Sequence, residues 1–510
     1  MTPQAEMLEE TWGGVSGKSA GLTPANFSWR RLLHFAGPSL LMSAAFVDPG
    51  NLEGDLQVGI QTRYSLLWLM LSSTILAFII QMLAAKLGVV TGKHLAEVCR
   101  SEYPSVPRYF LWLMMEMAII GSDIQEVVGS SIAIYLLSCG CVPLWGGAIL
   151  TAMTSFLLLY LDAMGPRVLE GLFGLLISTM AIAFVVLYAY ADINGVEVLK
   201  GLVVPSLPSG SMNVAVGLVG SIIMPHNIYL HSAVVLNRDI DRTSVPAIRE
   251  AMFYFSVEVC LTLVVTVLIN TCVISVFASA SFPADIGLAN AGEYLGHHFG
   301  EEMVFVWALG LIGSGQSSVM AGGYAGQYVM DGFLNLKVSK WLRLGVSRSL
   351  AIVPTLCVAL MYHNSWDLDT LNEWLNVLQA VQIPFALIPV LVLTSKKRIM
   401  GQFANTQSTN VIVWAIGLTV LSINFASVFQ LIKEGYSQGS CGVSAASTFI
   451  IVLYIVFMFY MIVEPCLPKK QEGPSWEEPL LPTISTPVTY ETDSPPWEDY
   501  LTSDELQNGE

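Results

Sequence analysis

Two short stretches of the chain place a proline beside potential metal donors within apolar sequence. The first holds Asp48 and Asn51 around a Pro-Gly pair, and the second holds Met224 directly before a proline. Proline lacks a backbone N–H and clashes with the preceding helical turn, so we expect a helix to break at each stretch. The predicted breaks lie at Pro49, Gly50 and Pro225. In a membrane, such breaks must line a cavity or be buried in protein, which makes Asp48 a candidate functional residue.

The donor atoms at these two breaks are of mixed chemical type. Asp48 offers a carboxylate, Asn51 an amide oxygen and Met224 a thioether sulfur, and unwound backbone adds a carbonyl from Ala45 or Ser221. Ca²⁺ and Mg²⁺ take oxygen ligands, whereas a thioether favours softer transition metals. We therefore predict a site for a divalent transition ion such as Mn²⁺ or Fe²⁺. A single carboxylate cannot neutralise that charge, so the site suits reversible binding during transport.

The composition identifies the environment in which these stretches lie. Of the 510 residues, 54% are hydrophobic and 12% are charged, about half the charged fraction of a typical soluble domain. This balance excludes a soluble enzyme, a disordered chain and a nucleic-acid-binding protein. It favours a polytopic α-helical protein in a lipid bilayer, with no cofactor expected.

Twelve segments are apolar enough to cross a membrane as helices of about 20 residues. They are 33–60, 64–90, 108–138, 142–162, 166–190, 213–236, 249–277, 303–330, 344–362, 372–394, 410–432 and 445–466. With both termini in the cytosol, the outer loops contain only Arg63, Lys200 and Lys433 of the 23 Lys and Arg residues. This strong positive-inside bias predicts twelve spans with both ends cytosolic.

The spacing of the two breaks predicts an internal repeat. The prolines lie 176 residues apart (225 minus 49), and five spans separate the starts of the two broken helices. Because five is odd, the second repeat is inverted relative to the first, a pattern that indicates a transporter with a midplane site. We predict a cytosolic tail at 1–31 and a transmembrane domain at 32–466. This domain comprises repeats 32–190 and 213–394 and peripheral helices 410–466, and a disordered acidic tail follows at 467–510.

Several ionisable residues lie within other apolar spans. Asp123 and Glu126 share one face of a helix at i, i+3 spacing, and Glu116 lies seven residues earlier on about the same face. Arg348 is the available counter-charge in the ninth span, and His226 follows the second break. Carboxylates and histidine within a membrane suggest a proton relay. A static ion-pair network that holds helices together is the alternative.

The two proline stretches resemble the signature motifs of the NRAMP family of proton-coupled divalent metal transporters. These stretches are Asp-Pro-Gly-Asn at 48–51 and Met-Pro-His-Asn at 224–227. Residues 121–127, 315–318, 323–327 and 372–379 resemble the third, eighth and tenth helices of that family. Residues 285–292 look most like plant members of the vacuolar type.

This resemblance implies a LeuT-like fold with a 5+5 inverted repeat and two extra C-terminal helices. It implies a metal site formed by Asp48, Asn51, Met224 and a carbonyl from Ala45 or Ser221, with Gln379 close by. The proton path that it implies consists of Asp48, His226, Glu116, Asp123, Glu126 and Arg348. Mn²⁺ or Fe²⁺, with Cd²⁺, Co²⁺ and Zn²⁺ as further candidates, would move with protons toward the cytosol by alternating access.

Some positions depart from the family pattern. Ser221 stands where an alanine is common, and Val319, Ala321 and Gly323 replace threonines of the eighth-helix signature. These departures affect no expected ligand side chain, although the Ser221 hydroxyl could admit harder ions. Two alternatives stay open: a LeuT-like symporter of an organic solute, and a non-transporting metal sensor of the same fold.

The C-terminal tail contains a candidate sorting signal. An acidic residue, Glu478, precedes the leucine pair that ends at Leu481. This arrangement resembles an acidic-dileucine motif, which sorting adaptors bind. We therefore expect a vacuolar or endosomal membrane rather than the plasma membrane.

Overall fold

The computed structural model describes residues 28–35, 37–163, 166–279, 286–335, 365–437 and 441–467, with isolated positions between 346 and 357. The regular elements in these ranges are helices. In chain order they are α1 (Trp29–Phe35), α2 (Pro38–Phe46), α3 (Pro49–Thr62), α4 (Leu67–Thr91), α5 (Leu95–Glu102), α6 (Ser105–Leu137), α7 (Leu144–Ala163), α8 (Pro166–Tyr190), α9 (Gly195–Val203), α10 (Met212–Ile222), α11 (Pro225–Val234), α12 (Val245–Ser279), α13 (Leu288–Phe299), α14 (Glu302–Leu334), α15 (Ser365–Gln382), α16 (Pro384–Ser395), α17 (Lys397–Met400), α18 (Gln407–Ser437) and α19 (Cys441–Val463).

The membrane-spanning segments agree with the expected all-α polytopic architecture. Within the described ranges, eight helices are long and apolar enough to cross a membrane. The first predicted span, 33–60, which its break divides into α2 and α3 of 9 and 14 residues, is not among these eight. The ninth predicted span, 344–362, lies almost entirely outside the described residues, and so does Arg348.

Both predicted helix breaks are present, and their backbone geometry is similar. The first half-helix ends at Phe46 in one repeat and at Ile222 in the other, with Val47 and Ile223 as the C-cap residues. The next residue, Asp48 or Met224, is extended, with φ/ψ of −80°/167° or −71°/127°. A proline then begins each second half-helix, where its missing N–H has no cost. The equivalent geometry at equivalent positions supports the predicted internal repeat.

Small residues let the helices around the first break approach closely. Gly129 of α6 lies against the ring of Pro49, and Gly220 of α10 lies against the carbonyl of Asn376 in α15. A side chain at either glycine would overlap its neighbour. As a result, α3, α6, α10 and α15 pack together around residues 48–51, and α14 packs along both α2 and α6.

The two sides of this helix cluster differ in how tightly they are closed. On the α1 side, the N–H of Gly37 donates to Glu258 Oε1 at 2.6 Å, and the rings of Phe35 and Tyr254 stack with centroids 5.4 Å apart. On the opposite side, a cavity of about 150 Å³ separates α3, α10 and α15. The structure therefore has a cavity on one side of the site and close packing on the other.

Candidate metal-binding site between the broken helices

Asp48 caps the start of α3 and lies fully buried. Its Oδ1 accepts a hydrogen bond from the N–H of Asn51 at 2.7 Å. Its Oδ2 has no hydrogen-bond partner among the described residues. A buried acceptor without a partner is costly, so this oxygen is suited to binding a cation.

Asn51 connects the two broken helices. Its Nδ2 donates to the carbonyl of Phe46 at 2.5 Å, which turns its Oδ1 toward α10. That oxygen accepts a hydrogen bond from Ser221 Oγ at 3.2 Å. The amide oxygen and the Ser221 hydroxyl thus meet where the first break faces the second.

Met224 caps the start of α11, and its side chain is brought close to the first break. Asn227 Nδ2 donates both to Met224 Sδ at 3.4 Å and to the carbonyl of Ala45 at 3.3 Å. The side-chain amide of Asn227 therefore contacts both the sulfur and the carbonyl that the sequence predicts as metal donors. Asn227 Oδ1 has no partner within the described ranges.

The prolines explain why Ala45 and Ser221 carry candidate carbonyl ligands. In an α-helix each carbonyl accepts from the N–H four residues later. For Ala45 and Ser221 that residue is Pro49 or Pro225, which has no N–H to donate. Both carbonyls are thus denied their helical partner at the breaks.

Gln379 lies beside the first break and is held there by a chain of amides. Its Nε2 donates to Gln125 Oε1 at 2.8 Å, and Gln125 Nε2 donates to Asn376 Oδ1 at 2.9 Å. Asn376 Nδ2 in turn donates to the carbonyl of Gly50 at 2.9 Å. Gln379 Oε1 is a buried acceptor that no described donor reaches.

The donors gathered here suit a labile ion rather than a permanent metal. In the part of the chain that the structure describes, no group of three or more His, Cys, Asp or Glu side chains could hold a metal. The candidate set instead combines one carboxylate with amide and backbone oxygens and a thioether. Weak neutral donors around a single charge are appropriate for an ion that must be released.

Three predicted proton-path acids lie together on α6. Glu116, Asp123 and Glu126 are all buried. Asp123 Oδ1 and Glu126 Oε2 both lie close to Gly322 of α14, 2.7 and 3.2 Å from where its Cβ would be. Ser122 Oγ donates to Glu126 Oε1 at 2.9 Å. The structure thus places Asp123 and Glu126 at one point of the contact between α6 and α14.

Within the described residues, no hydrogen bond joins His226 to these acids. It is buried on α11, and its Nδ1 has no hydrogen-bond partner in the described ranges. The helix that carries it packs against both α6 and α14. Arg348, the expected counter-charge, is outside the described residues, so its role stays a prediction.

Sequence reasoning missed several residues that contact the site. Gln125 bridges α6 to α15, and Asn227 bridges the two breaks. Asn227 could have been selected, because it occupies the position in the second motif that Asn51 occupies in the first. Gln125 carried no such signal, since only the packing of α6 on α15 gives it a partner.

Comparison with known proteins identifies the family. The model of the family described as natural resistance-associated macrophage protein-like (Nramp) matches residues 39–430. Metal transporter Nramp2 of Oryza sativa subsp. japonica is 48% identical, over 86% of this chain and 84% of its own. Metal transporter Nramp3 of Arabidopsis thaliana is 47% identical, over 86% of this chain and 87% of its own.

A solved structure supports the same assignment. The Eremococcus coleocola manganese transporter, crystallised with an aromatic bis-isothiourea substituted compound, superposes with a TM-score of 0.75 at 28% identity. The match covers 87% of this chain and 97% of that one. The resemblance seen in the two proline motifs is confirmed, and the chain belongs to the Nramp family of metal transporters.

Proposed function

We propose that this protein carries Mn²⁺ or Fe²⁺, together with protons, through a site formed by Asp48, Asn51, Met224 and the carbonyls of Ala45 and Ser221. The observation that carries the proposal is the buried Asp48 carboxylate, whose Oδ2 lacks a partner in the described structure while its Oδ1 is fixed by Asn51. Gln379 completes the ligand set when α15 moves. Cd²⁺, Co²⁺ and Zn²⁺ are further candidate substrates.

The choice of metal rests on the donors and on the relatives. A site of oxygens and one thioether prefers Mn²⁺ or Fe²⁺ over Ca²⁺ and Mg²⁺. The structural relative is named a manganese transporter, and the plant relatives are named metal transporters. An organic solute with a carboxylate would be repelled by Asp48, so the symporter alternative has no support from the site.

Proton movement is proposed to run from Asp48 through His226 or through the acids of α6. When a metal ion binds beside Asp48, its double positive charge favours the ionised carboxylate and promotes release of a proton. Glu116, Asp123 and Glu126 are buried acids on a neighbouring helix that packs against α3. With Arg348 as their proposed counter-charge, they form a route by which that proton leaves.

The direction of transport and the membrane in which the protein lies are further parts of the proposal. Both termini lie in the cytosol, as the distribution of Lys and Arg predicts, and the metal moves toward them. Because relatives of the Nramp3 and Nramp4 type are among the matches, we propose a vacuolar or endosomal membrane. An adaptor would bind Glu478–Leu481 in the tail, which is outside the described residues.

Metal uptake into proteoliposomes tests the proposed site. Mn²⁺, Fe²⁺, Mg²⁺ and Ca²⁺ are compared at about pH 5.5 and pH 7.5 for the wild type and for Asp48→Asn. Asp241→Asn, which changes an exposed aspartate far from the breaks, is the matched control. We expect uptake of Mn²⁺ and Fe²⁺, faster with acid outside, and its loss in Asp48→Asn alone. A wild type that moves no divalent ion at either pH would overturn the proposal.

A second variant tests the proton route. Asp123→Asn keeps the size of the side chain but removes a buried acid. If Asp123 relays protons, this variant should still take up Mn²⁺ while losing its dependence on external pH. If the acids form only a static network, the variant should instead lose folded protein while the remaining transporters keep the wild-type pH dependence.

A further inference from the structure

Asp55 is a second buried carboxylate on α3, seven residues beyond Asp48 and on nearly the same face. Its side chain is 0% exposed. Within the described ranges it makes no ion pair with Lys or Arg, and no donor reaches its Oδ1. A buried carboxyl group without a cationic partner is costly, so stabilisation of the fold does not explain an aspartate at this position.

The neighbour of Asp55 is the amide of Asn270 on α12, which is also fully buried. In the orientation that matches donors to acceptors, Asn270 Nδ2 donates to Asp55 Oδ2 at 3.2 Å and to the carbonyl of Thr266 at 3.2 Å. Its Oδ1 then accepts from Asn51 Nδ2 at 3.2 Å. The reverse orientation would set oxygen against oxygen and nitrogen against nitrogen.

These contacts determine the direction of each amide in turn. The Oδ2 of Asp55 accepts the hydrogen bond from Asn270 Nδ2, and the backbone carbonyl of Thr266 can only accept. Together they hold the nitrogen of Asn270 on their side and its oxygen toward Asn51. With Asn270 Oδ1 and the carbonyl of Phe46 both accepting from Asn51 Nδ2, Asn51 Oδ1 is left facing α10 and the second break.

We propose that Asp55 and Asn270 are positioning residues that hold the amide oxygen of Asn51 toward the metal. The proposal rests on the metal site proposed above, in which Asn51 is a ligand. Asp55 acts through two amides and does not itself touch the ion. Its carboxyl Oδ2 suits this task because it accepts from Asn270 Nδ2. An amide at position 55 could turn its own nitrogen toward Asn270, which would leave only the carbonyls of Thr266 and Phe46 to orient the two neighbouring amides.

The expected consequence is a change in metal preference. Asn51 supplies a hard amide oxygen. This oxygen contributes more to the binding affinity for Mn²⁺ than for Cd²⁺, because binding of the softer Cd²⁺ depends more on the thioether of Met224. A purely structural role for Asp55 would lower the turnover of both metals by the same factor. A positioning role raises the KM for Mn²⁺ more than the KM for Cd²⁺.

Transport by the full-length protein in proteoliposomes tests the positioning role. The variants are Asp55→Asn, Asn270→Asp and the double exchange, which combines these two substitutions. In the double exchange, the amide now at position 55 can donate to the new carboxylate at position 270, which still accepts from Asn51, and the net charge is unchanged. We expect Asp55→Asn to raise the KM for Mn²⁺ about tenfold and the KM for Cd²⁺ by much less. The double exchange should recover most of the Mn²⁺ KM.

The following results separate the possibilities. An equal change for both metals in Asp55→Asn, or a folded double exchange as impaired as that variant, would overturn the inference. If the double exchange does not fold, Asn270→Ala replaces it, and an unchanged ratio of the two KM values then overturns the inference.

Asn51→Ala separates the positioning role from the metal site itself. A normal Mn²⁺ KM in Asn51→Ala would overturn the proposed metal site. An impaired Asn51→Ala beside a normal Asp55→Asn would overturn only the positioning role.

Discussion

At the residue scale, Met224 brings a sulfur atom to a candidate site whose other donors are oxygens, and we expect this sulfur to set the preference among metals. We predict that Met224→Ala lowers Cd²⁺ uptake at least about tenfold and Mn²⁺ uptake less, because a soft ion depends more on the thioether. Ca²⁺ and Mg²⁺ should then compete with Mn²⁺. The measurement is uptake of each metal into proteoliposomes.

Met180→Ala is the matched control for this change. Met180 is fully buried on α8, where it lies against Gly313 of α14, so its replacement removes a similar apolar side chain that is not a candidate metal donor. Both variants should lose stability by about 2–5 kcal/mol, but only Met224→Ala should alter the order of metals. The same order of metals in both variants would remove Met224 from the site.

Ser221 is the residue at which this chain departs from the family pattern within the site. Its single hydroxyl proton is shared between Asn51 Oδ1 at 3.2 Å and the carbonyl of Leu218 at 3.0 Å. The lone pairs of Oγ can therefore act as a hard ligand to a metal ion. We predict that Ser221→Ala weakens competition by Mg²⁺ against Mn²⁺ uptake. The Mn²⁺ KM should change by no more than about fivefold, the effect of one hydrogen bond of about 1 kcal/mol.

Ser317→Ala provides the comparison for Ser221→Ala. Ser317 is equally buried, but its Oγ donates to the backbone of its own helix, to Gly313 and Ser314. Mg²⁺ competition should be unaffected there. Unchanged Mg²⁺ competition in Ser221→Ala as well would mean that the hydroxyl takes no part in selectivity.

At the scale of the element, proline keeps each broken helix from closing its hydrogen-bond ladder. Replacing Pro225 with alanine supplies an N–H that can bond to the carbonyl of Ser221 and let α10 continue into α11. We predict that Pro225→Ala lowers kcat/KM for Mn²⁺ about tenfold, since one carbonyl ligand is worth about 1.4 kcal/mol. Steady-state uptake measures this change.

The control for Pro225→Ala is Pro389→Ala. Pro389 lies inside α16, away from the two breaks, and its replacement should leave kcat/KM close to the wild-type value. Retention of full activity by Pro225→Ala would show that the broken backbone is dispensable. The amount of folded transporter, measured by size-exclusion chromatography, separates lost activity from lost protein.

For the whole molecule, the contrast between a side with a cavity and a packed side indicates one state of an alternating-access cycle. Arg238 contributes to the packed side by pairing with Glu170 and by donating to the carbonyl of Phe35. We predict that Arg238→Ala shifts the population toward the opposite state. A cysteine introduced at Val214, which lines the cavity, should then react several-fold more slowly with an impermeant maleimide in a background without native cysteines.

The exposed ion pair between Arg31 and Glu250 supplies the control, because surface pairs contribute about 0–1 kcal/mol. Arg31→Ala should leave the rate of labelling at position 214 unchanged. Faster labelling in Arg238→Ala would contradict the prediction, because it would mean that the contacts of Arg238 with Glu170 and Phe35 stabilise the opposite state.

Much of the protein could be predicted from the sequence because the decisive features are local. An apolar run long enough to cross a bilayer, a proline that removes an N–H, and donors within three residues of that proline depend on no distant contact. The helical architecture, the two breaks and the side chains of Asp48, Asn51 and Met224 were therefore predictable. The family assignment followed from the same short stretches.

Only the tertiary structure decides how those donors are oriented. Gln125 meets Gln379, and Asn270 meets Asn51, only because α6, α12 and α15 pack against the first break. An isolated amide gives no sign of which atom faces a ligand, since its oxygen and nitrogen are exchanged by rotation of the side chain. Which side of the site is open likewise depends on contacts between residues distant in the chain, such as Gly37 and Glu258. Sequence therefore determined which atoms are candidates to bind the metal, and packing decided where those atoms point.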